Sequence, residues 1–284
     1  MPVALPDLLY LIDGDGLLYR AANALPFETT EGGLPVNGLR GFVGMLRGLL
    51  RGPPTHAAVC FTADPPLRKH AWDPDYKINH YEHPEEIKRQ IPYAMRWAAA
   101  LGVHPVLHPG FEADDLIATF LSRHPTMEAR IITSDRDFYQ LVSPLVHVLA
   151  PVRGTREMRE VDPAGVEAAF GVPPAQVPDF KALVGDASDD IPGVPGIGPK
   201  TAAALLRVRP TVEELFNHLD EIPRHGARLV RMRARILLNK RLATLAPVEV
   251  PDPDRDLTLA AAHLEEQRAL ADETGIGAGG IATG

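Results

Sequence analysis

Short apolar runs alternate with amphipathic segments in the first half of the chain, and this alternation constrains the fold more than any other feature. The apolar runs predict buried strands over residues 8–13, 55–64, 103–109, 129–135 and 146–150. The amphipathic segments predict helices over residues 36–51, 84–102 and 113–124. Such alternation favours an α/β fold, in which helices flank a mainly parallel central sheet. After residue 150, short segments rich in Pro and Gly predict a second subdomain made of short helices.

Composition excludes several classes of protein. Of the 284 residues, 45% are hydrophobic and 23% are charged, as in an ordinary globular protein. No run approaches the roughly 20 apolar residues that cross a membrane, and the first residues lack the basic segment of a signal peptide. The single cysteine, Cys60, excludes an intramolecular disulfide and is expected to be buried in a strand. We therefore expect a cytoplasmic protein with no membrane partner.

The distribution of charge says more about partners than its sum. A net charge of −8 argues against nucleic acid, but residues 224–241 are strongly basic. A smaller basic group consists of Arg68, Lys69, Lys77, Lys88 and Arg89. One such run alone could be a solvated helix face, whereas two runs on either side of an acidic centre favour an anionic ligand. The basic helix would contact the duplex backbone of a nucleic acid.

Acidic residues form five clusters along the chain. These are Asp13 with Asp15; Asp64; Glu112, Asp114 and Asp115; Asp135 with Asp137; and Asp186, Asp189 and Asp190. Three clusters lie at or near the carboxyl ends of predicted strands, where parallel sheets bind ligands. One cluster could merely cap a helix, but several at one sheet edge would repel each other unless cations neutralised them. Carboxylates suit Mg²⁺ or Mn²⁺, and two such ions about 4 Å apart can cleave phosphodiesters.

The spacing within the clusters predicts how the carboxylates are presented. Glu112, Asp114 and Asp115 would lie at the positive end of the helix over residues 113–124. Asp135 and Asp137, two residues apart, would leave a strand on the same side. The three-residue spacing of Asp186 and Asp189 predicts that they share one face of a helix.

A phosphatase is the first alternative. The stretch LLYLIDGDG, which ends the first strand in Asp-x-Asp-Gly, resembles the start of haloacid-dehalogenase phosphatases. Asp13 would then be the covalent nucleophile and Asp15 its acid, and GDASDD (185–190) resembles that family's metal-binding motif. This alternative leaves residues 111–115 and the glycine-rich stretch over residues 193–206 without a role.

That glycine-rich stretch, GVPGIGPKTAAALL, has the helix-hairpin-helix signature. Glycines let the backbone approach a phosphate, and the N–H groups at a helix N-terminus can bind it. Such contacts position DNA without reading its sequence. The candidate DNA-binding residues are Gly193, Gly196, Ile197, Gly198, Lys200 and Thr201, together with Arg228 and Arg231 of the basic run.

Taken in order, the motifs IDGDGLLYR, FEADD, ITSDRDFYQL and GDASDDIPGVPGIGPKTA resemble the 5′-nucleases of the flap endonuclease superfamily. The resemblance runs from about Leu8 to Val250 and is strongest to the 5′→3′ exonuclease domain of bacterial DNA polymerase I and its stand-alone relatives. It implies a metal-dependent enzyme that hydrolyses DNA at 5′ flaps, nicks or free 5′ ends during replication and repair. It further implies a monomer that works beside a polymerase and a ligase, with a K⁺ ion at the hairpin.

The resemblance also implies roles for individual residues. One Mg²⁺ or Mn²⁺ ion would be held by Asp13, Glu112, Asp114 and Asp115, and a second by Asp135, Asp137, Asp186 and Asp189. Water would attack the phosphodiester, so that Asp13 is a ligand and not a nucleophile. Residues 67–80 would belong to an arch that admits a single-stranded 5′ end. Within it Lys77 would contact the scissile phosphate, and Lys69 stands where relatives carry Arg, beside Arg68.

The sequence departs from this family at Thr62. Relatives have an aspartate there as a first-site ligand, and either Asp15 or Asp64 could compensate, with Asp15 favoured because it adjoins Asp13. Asp190 replaces an asparagine of the family. Thr62 keeps open a second class of function, a weakened relative that binds branched DNA without cutting it.

Three regions are predicted. Residues 1–178 form the nuclease core, with the arch at about 65–100, and residues 179–250 form the helix-hairpin-helix subdomain. Residues 251–284 form an extension with a helix over 258–273 and a disordered end over 276–284.

Overall fold

A six-stranded sheet lies at the centre of the fold. The computed structural model describes residues 7–52, 54–63, 67–78, 84–222, 224–250, 252 and 254–277. The strands are β1 (Leu8–Asp13), β2 (His56–Phe61), β3 (His104–Leu107), β4 (Glu128–Ile132), β5 (Val146–Pro151) and β6 (Met158–Val161). Their order is β3-β2-β1-β4-β5-β6, and all neighbours are parallel except β5 and β6. The prediction of a mainly parallel α/β sheet is confirmed.

Eleven α-helices occur in the described residues. They are α1 (Gly14–Ala24), α2 (Asn37–Leu49), α3 (Glu85–Lys88), α4 (Ile91–Ala100), α5 (Ala113–Arg123), α6 (Pro163–Phe170), α7 (Val177–Val184), α8 (Pro199–Val208), α9 (Val212–Asn217), α10 (Gly226–Ala243) and α11 (Leu264–Thr274). Short 3₁₀ helices span Arg68–Ala71, Asp137–Leu141, Pro174–Gln176 and Leu219–Glu221. None of these helices is long and apolar enough to cross a membrane.

Helices cover both faces of the sheet, which explains why its strands read as continuous apolar runs. Side chains alternate along β1, so that Leu9 and Leu11 pack into the core beneath α5. Ile12 points the other way and packs with α1, α2 and α4. Cys60 of β2 is fully buried, as expected. The sheet is therefore the rigid platform from which the loops at its carboxyl edge project.

The helical subdomain has its own core. Residues of α7, α8, α9 and α10 form one apolar cluster that includes Phe180, Val194, Ile197, Leu206 and Leu229. Helix α8 begins at Pro199, directly after Gly198, so the glycine-rich stretch is the turn between α7 and α8. Because α7 runs across residues 178 and 179, the division of the chain at that point stays a prediction.

Two expectations about the later chain are wrong. The region after residue 150 is not only helical, because a turn with Gly154 in a left-handed conformation (φ 56°) returns the chain as β6. In the extension, helix α11 begins at Leu264 and not at residue 258. Residues 258–260 are extended instead, because the amides of Leu259 and Ala260 donate to the carbonyls of Thr55 and Gly102, both at 2.9 Å.

The expected disordered end lies mostly outside the described residues, which stop at 277. Its first residue, Ile276, is buried against the core that contains α2 and α4. The expectation of disorder is therefore wrong for that residue.

Candidate metal centre

Asp13, the last residue of β1, is held by two hydrogen bonds. Its carboxylate accepts from the Gly16 amide at 2.8 Å and from the Thr133 hydroxyl at 2.7 Å. A Cβ atom at position 16 would collide with the Asp13 carboxylate, so this turn requires glycine. The Asp-x-Asp-Gly motif thus aims Asp13 into the loops beyond β1 and β4.

Asp15 lies in the first turn of α1 and is buried. It accepts a hydrogen bond from the Thr62 amide at 2.7 Å, just beyond β2. The Thr62 hydroxyl in turn accepts from the Ala113 amide at 3.1 Å, at the start of α5. Thr62 therefore links Asp15 to the start of α5, where Glu112, Asp114 and Asp115 lie. Asp64, the other candidate to replace the missing carboxylate, lies outside the described residues.

Glu112 precedes α5 and is the most heavily paired carboxylate of the centre. Lys69 and Lys77 contact its two oxygens at 2.7 and 2.6 Å, and the Tyr76 hydroxyl donates to it at 3.2 Å. Glu112 and Lys69 are almost fully buried. Asp115, in the first turn of α5, pairs with Arg68 at 2.9 Å. The predicted start of α5 is confirmed. Of the three cations predicted for the arch, Lys69 and Lys77 contact Glu112 and Arg68 contacts Asp115.

A second cluster lies on the far side of Lys77. Oxygens of Asp137, Asp186 and Asp189 lie within 4.8 Å of one another, close enough to share one cation. Asp135 adjoins them, because its carboxylate accepts from the Asp137 amide at 2.8 Å. Lys77 also contacts Asp189 at 3.3 Å, so one ammonium group lies between the two clusters.

Asp186 and Asp189 do not share a helix face, contrary to the spacing argument. Residues 186–191 form a tight turn in which Asp186 and Ile191 exchange two backbone hydrogen bonds of 2.8 Å. Gly185 (φ 85°) and Asp190 (φ 54°) adopt left-handed conformations that close this turn. The turn still brings both carboxylates to one cluster, so the pairing was right and its local structure was wrong.

The carboxylates carry more negative charge than the protein neutralises. Burial, followed by the charge of Asp15, raises the pKa of Asp13 to about 7, and burial raises the pKa of Asp15 to about 6. Burial is also the main cause of the raised pKa values of Asp114, Asp135 and Asp189. The charged forms of these carboxylates need additional cations nearby to be stable.

Glu112 and Asp186 behave differently because lysines compensate them. Burial alone would raise the pKa of Glu112, but Lys69 and Lys77 hold it far below its usual range. Burial opposes ionisation of Asp186 as well, and Lys181 outweighs it, so the pKa of Asp186 is lowered. The centre therefore mixes carboxylates that are already neutralised with others that are not.

Lys181 is the functional candidate that the sequence did not reveal. It lies in α7, is buried, and pairs with Asp137 and with Asp186, the latter at 2.5 Å. The only signal is its position five residues before Asp186 in KALVGD, which carries no meaning until the turn after α7 is known. Tyr76 was likewise missed, since its role comes from contacts with Glu112 and Lys69.

The predicted DNA-binding residues surround the turn between α7 and α8. Gly196 is left-handed (φ 78°), and a Cβ there would collide with the Arg228 guanidinium of α10. Lys200 and Arg231 are exposed, whereas Ile197 is buried in the subdomain core. Gly193, Gly198 and Thr201 belong to the same turn and the first turn of α8.

Oxygen donors dominate this centre, and hard divalent cations fit it. Two groups of mostly buried carboxylates, with several raised pKa values, lie at the carboxyl edge of a parallel sheet beside a glycine-rich helix turn. Such a donor set is typical of sites for hard divalent cations. Fold and site together define an α/β protein with a candidate divalent-metal centre.

Comparisons with known proteins define the family. The model of the 5′-3′ exonuclease N-terminal, resolvase-like domain matches residues 8–171, and that of the 5′-3′ exonuclease C-terminal SAM fold matches residues 172–265. DNA polymerase I of Mycobacterium bovis is 40% identical over 243 residues, which cover 84% of this chain and 27% of that protein. The chain belongs to the 5′-3′ exonuclease family. It spans just over a quarter of the length of the curated relatives it matches.

Solved structures agree on the fold. T5 5′-exonuclease with divalent metal ions (zinc) bound has a TM-score of 0.70 at 19% identity, covering 84% of this chain and 89% of that one. A bacteriophage T5 flap endonuclease variant, in a pseudo-enzyme-product complex with DNA and metal ions, has a TM-score of 0.66 at 18% identity and covers 94% of both chains. The resemblance to 5′-nucleases is confirmed, and the family replaces the phosphatase alternative.

Proposed function

We propose that this chain is a structure-specific 5′ nuclease that hydrolyses DNA at flaps, nicks and free 5′ ends. The observation that carries the proposal is the pair of mostly buried carboxylate clusters, on either side of Lys77, in a chain of the 5′-3′ exonuclease family. A protein that only binds DNA does not need both clusters.

The first metal ion would be held by Asp13, Asp114 and their neighbours, and the second by Asp135, Asp137, Asp186 and Asp189. Bound there, Mg²⁺ or Mn²⁺ would supply charge neutralisation at the phosphate and activation of the attacking water. The fit rests on donor chemistry, since oxygens of the second cluster already lie within 4.8 Å of one another.

The side chains of this chain would divide the remaining work. Asp13 would supply a ligand oxygen in a fixed orientation, because Gly16 and Thr133 hold its carboxylate by hydrogen bonds. Lys77 would leave Glu112 or Asp189 to contact a phosphate oxygen, where a compact cation stabilises developing charge. Arg68 and Lys69 would hold Asp115 and Glu112 in place through their ion pairs. Arg228, Arg231 and Lys200 would position the duplex through its backbone.

The remaining implications of the resemblance stay predictions. They are the choice between Mg²⁺ and Mn²⁺, a K⁺ ion at the turn before α8, a monomer that works beside a polymerase and a ligase, and a cytoplasmic location. None of them enters the mechanism above.

A 5′-labelled flap duplex tests the proposal. Wild-type protein would be incubated with Mn²⁺, with Mg²⁺ or with a chelator, while cleavage and gel shift are both followed. We expect metal-dependent release of a labelled oligonucleotide cut near the junction. Release of the label as inorganic phosphate would instead support phosphatase chemistry.

The second candidate is a relative that binds branched DNA and cuts it poorly, and Thr62 is the observation in its favour. A gel shift without cleavage under either metal would establish that candidate and reject the nuclease. If the wild-type protein binds without cutting and Thr62→Asp restores cleavage, the loss of activity is caused by Thr62.

A further inference from the structure

The basic helix α10 has two halves with different surroundings. In its first half Arg231 is exposed and Arg228 lies beside Gly196, where both can face DNA. In its second half Arg235 pairs with Asp73 at 2.6 Å, and the Arg241 guanidinium lies 3.9 Å from the centre of the Trp72 ring. The second half is therefore directed at the segment over residues 72–77, which ends at Lys77.

Asp73 organises that segment. It is 6% exposed, and its carboxylate accepts both from Arg235 and from the Asp75 amide at 3.1 Å. The Asp73 carbonyl accepts from the Tyr76 amide at 3.1 Å, which closes the turn immediately before Lys77. An ion pair with α10 thus fixes the turn from which Lys77 projects.

Lys77 has a backbone conformation that needs such support. Its φ of 53° is left-handed, a conformation that a residue with a side chain adopts only where its surroundings enforce it. Its amide donates to the Asp189 carbonyl at 3.1 Å, which ties it to the turn over residues 186–191. Position and conformation of Lys77 therefore depend on both α10 and the second carboxylate cluster.

A small apolar cluster completes the junction. Tyr76, Ile191, Leu242 and Ala243 are buried together, with Trp72 and Leu238 packed against them. These residues come from the Lys77 segment, the 186–191 turn and the end of α10. The three elements meet in one core that is separate from the cores of the sheet and of the helical subdomain.

We infer that Arg235, through its ion pair with Asp73, is a positioning residue for Lys77. The first half of α10 then contacts DNA, and its second half sets the position of Lys77. One helix therefore connects duplex binding to the contact between Lys77 and the phosphate. Arg241 on Trp72 supports the same junction. The inference rests on the proposed function, in which Lys77 contacts the scissile phosphate.

The test compares Arg235→Gln and Asp73→Asn with wild type on the 5′-flap duplex. Single-turnover cleavage is measured with Mn²⁺ at saturating protein, and the Kd for the same duplex is measured in a chelator. Each substitution removes the ion pair, so we expect the cleavage rate to fall by at least about tenfold while the Kd changes by less than about threefold. Arg235→Lys, which keeps the charge, should recover part of the rate.

Arg209→Gln is the matched control. Arg209 forms an ion pair with Glu221 at 2.6 Å, also in the helical subdomain, and this pair involves none of the residues that contact Lys77 or Asp73. It should leave both the rate and the Kd unchanged. If Arg235→Gln does not fold, as judged by circular dichroism, the nearly isosteric Asp73→Asn decides alone.

A wild-type rate for both Arg235→Gln and Asp73→Asn would overturn the inference, as would a loss confined to the Kd. Failure of the wild-type protein to cut in this assay is a different result, because it would reject the proposed nuclease itself.

Discussion

Thr62 places a hydroxyl where the family resemblance implies a carboxylate, yet the position keeps a structural task. Its hydroxyl accepts from the Ala113 amide and its own amide donates to Asp15. Asp15 is thereby held between α1 and the start of α5, with the charges of Lys77 and Glu112 acting on it. This arrangement favours the prediction that Asp15, and not Asp64, compensates for Thr62.

Asp15→Ala should therefore lose Mn²⁺-dependent cleavage by at least about 100-fold, because the first cluster loses a ligand charge. The measurement is the initial rate on the 5′-flap duplex, with circular dichroism to check the fold. Asp64→Ala is the informative comparison. Should Asp15→Ala cut normally while Asp64→Ala does not, the assignment would pass to Asp64.

At single positions, the sequence predicted residues that belong to short motifs and missed those defined by tertiary contact. Short sequence motifs predicted Asp13 at a strand end and Glu112 and Asp115 at a helix start, and the structure places them there. Lys181 and Tyr76 do not, because a lysine in a helix and a tyrosine in a loop are ordinary until their partners are known. Likewise, the burial of Lys69 against Glu112 could not be inferred from its place in a basic run.

At the scale of elements, α7 contributes a built-in cation to the second carboxylate cluster. Lys181 lies between Asp137 and Asp186, and all three are largely buried. Without metal this ammonium group offsets part of the repulsion among the aspartates. With metal it competes with the ion for the same oxygens.

Lys181→Met should thus lower the free energy of unfolding of the metal-free protein by about 3 kcal/mol, since a buried pair loses one partner. Mn²⁺ should restore much of this loss and bind more tightly than in wild type. Thermal unfolding and calorimetric titration with Mn²⁺ measure both effects. If Lys181 instead orients the ligands, the variant would bind Mn²⁺ more weakly than wild type.

Lys240→Met provides the control for this prediction. Lys240 also contacts two carboxylates, Asp179 at 2.8 Å and Glu213 at 2.7 Å, but neither carboxylate belongs to the two clusters of the centre. Lys240→Met should also lower the free energy of unfolding, because the buried Asp179 loses its partner, but Mn²⁺ should not restore that loss.

Element boundaries show where pattern arguments fail. The Asp186–Asp189 spacing suits a helix, but Gly185 ends α7 and the following residues close a turn. The sequence pattern of residues 258–263 continues that of the helix that follows. Their backbone nevertheless donates hydrogen bonds to Thr55, just before β2, and to Gly102, just after α4. At the first of these two places the backbone hydrogen bonds of the turn itself override the helical preference, and at the second hydrogen bonds to distant residues override it.

For the whole molecule, the uncompensated charge predicts an unusual dependence of stability on pH. Asp13 has a folded-state pKa of about 7, above its ordinary value of 3.8, so the folded protein binds a proton that the unfolded chain releases. Stability of the metal-free protein should then rise as pH falls from about 8 towards about 6. Glu112 contributes nothing to this change, because its lowered pKa keeps it ionised throughout the interval.

Thermal unfolding in a chelator at several pH values measures this dependence, and Asp13→Asn should reduce it. Saturating Mn²⁺ should abolish it, with proton release on binding visible by calorimetry in two buffers. A metal-free protein that loses stability over the same fall in pH, equally in wild type and Asp13→Asn, would contradict the charge imbalance.

Asp135→Asn, assayed on the 5′-labelled flap duplex with Mn²⁺, tests whether the two carboxylate clusters form a catalytic centre. Asp135 adjoins the second cluster, and its charge also acts on Asp13 and Asp114 of the first. We expect cleavage to fall by at least about 100-fold while the Kd for the duplex stays within about threefold of wild type. Cleavage at the wild-type rate would show that these carboxylates do not form the catalytic centre.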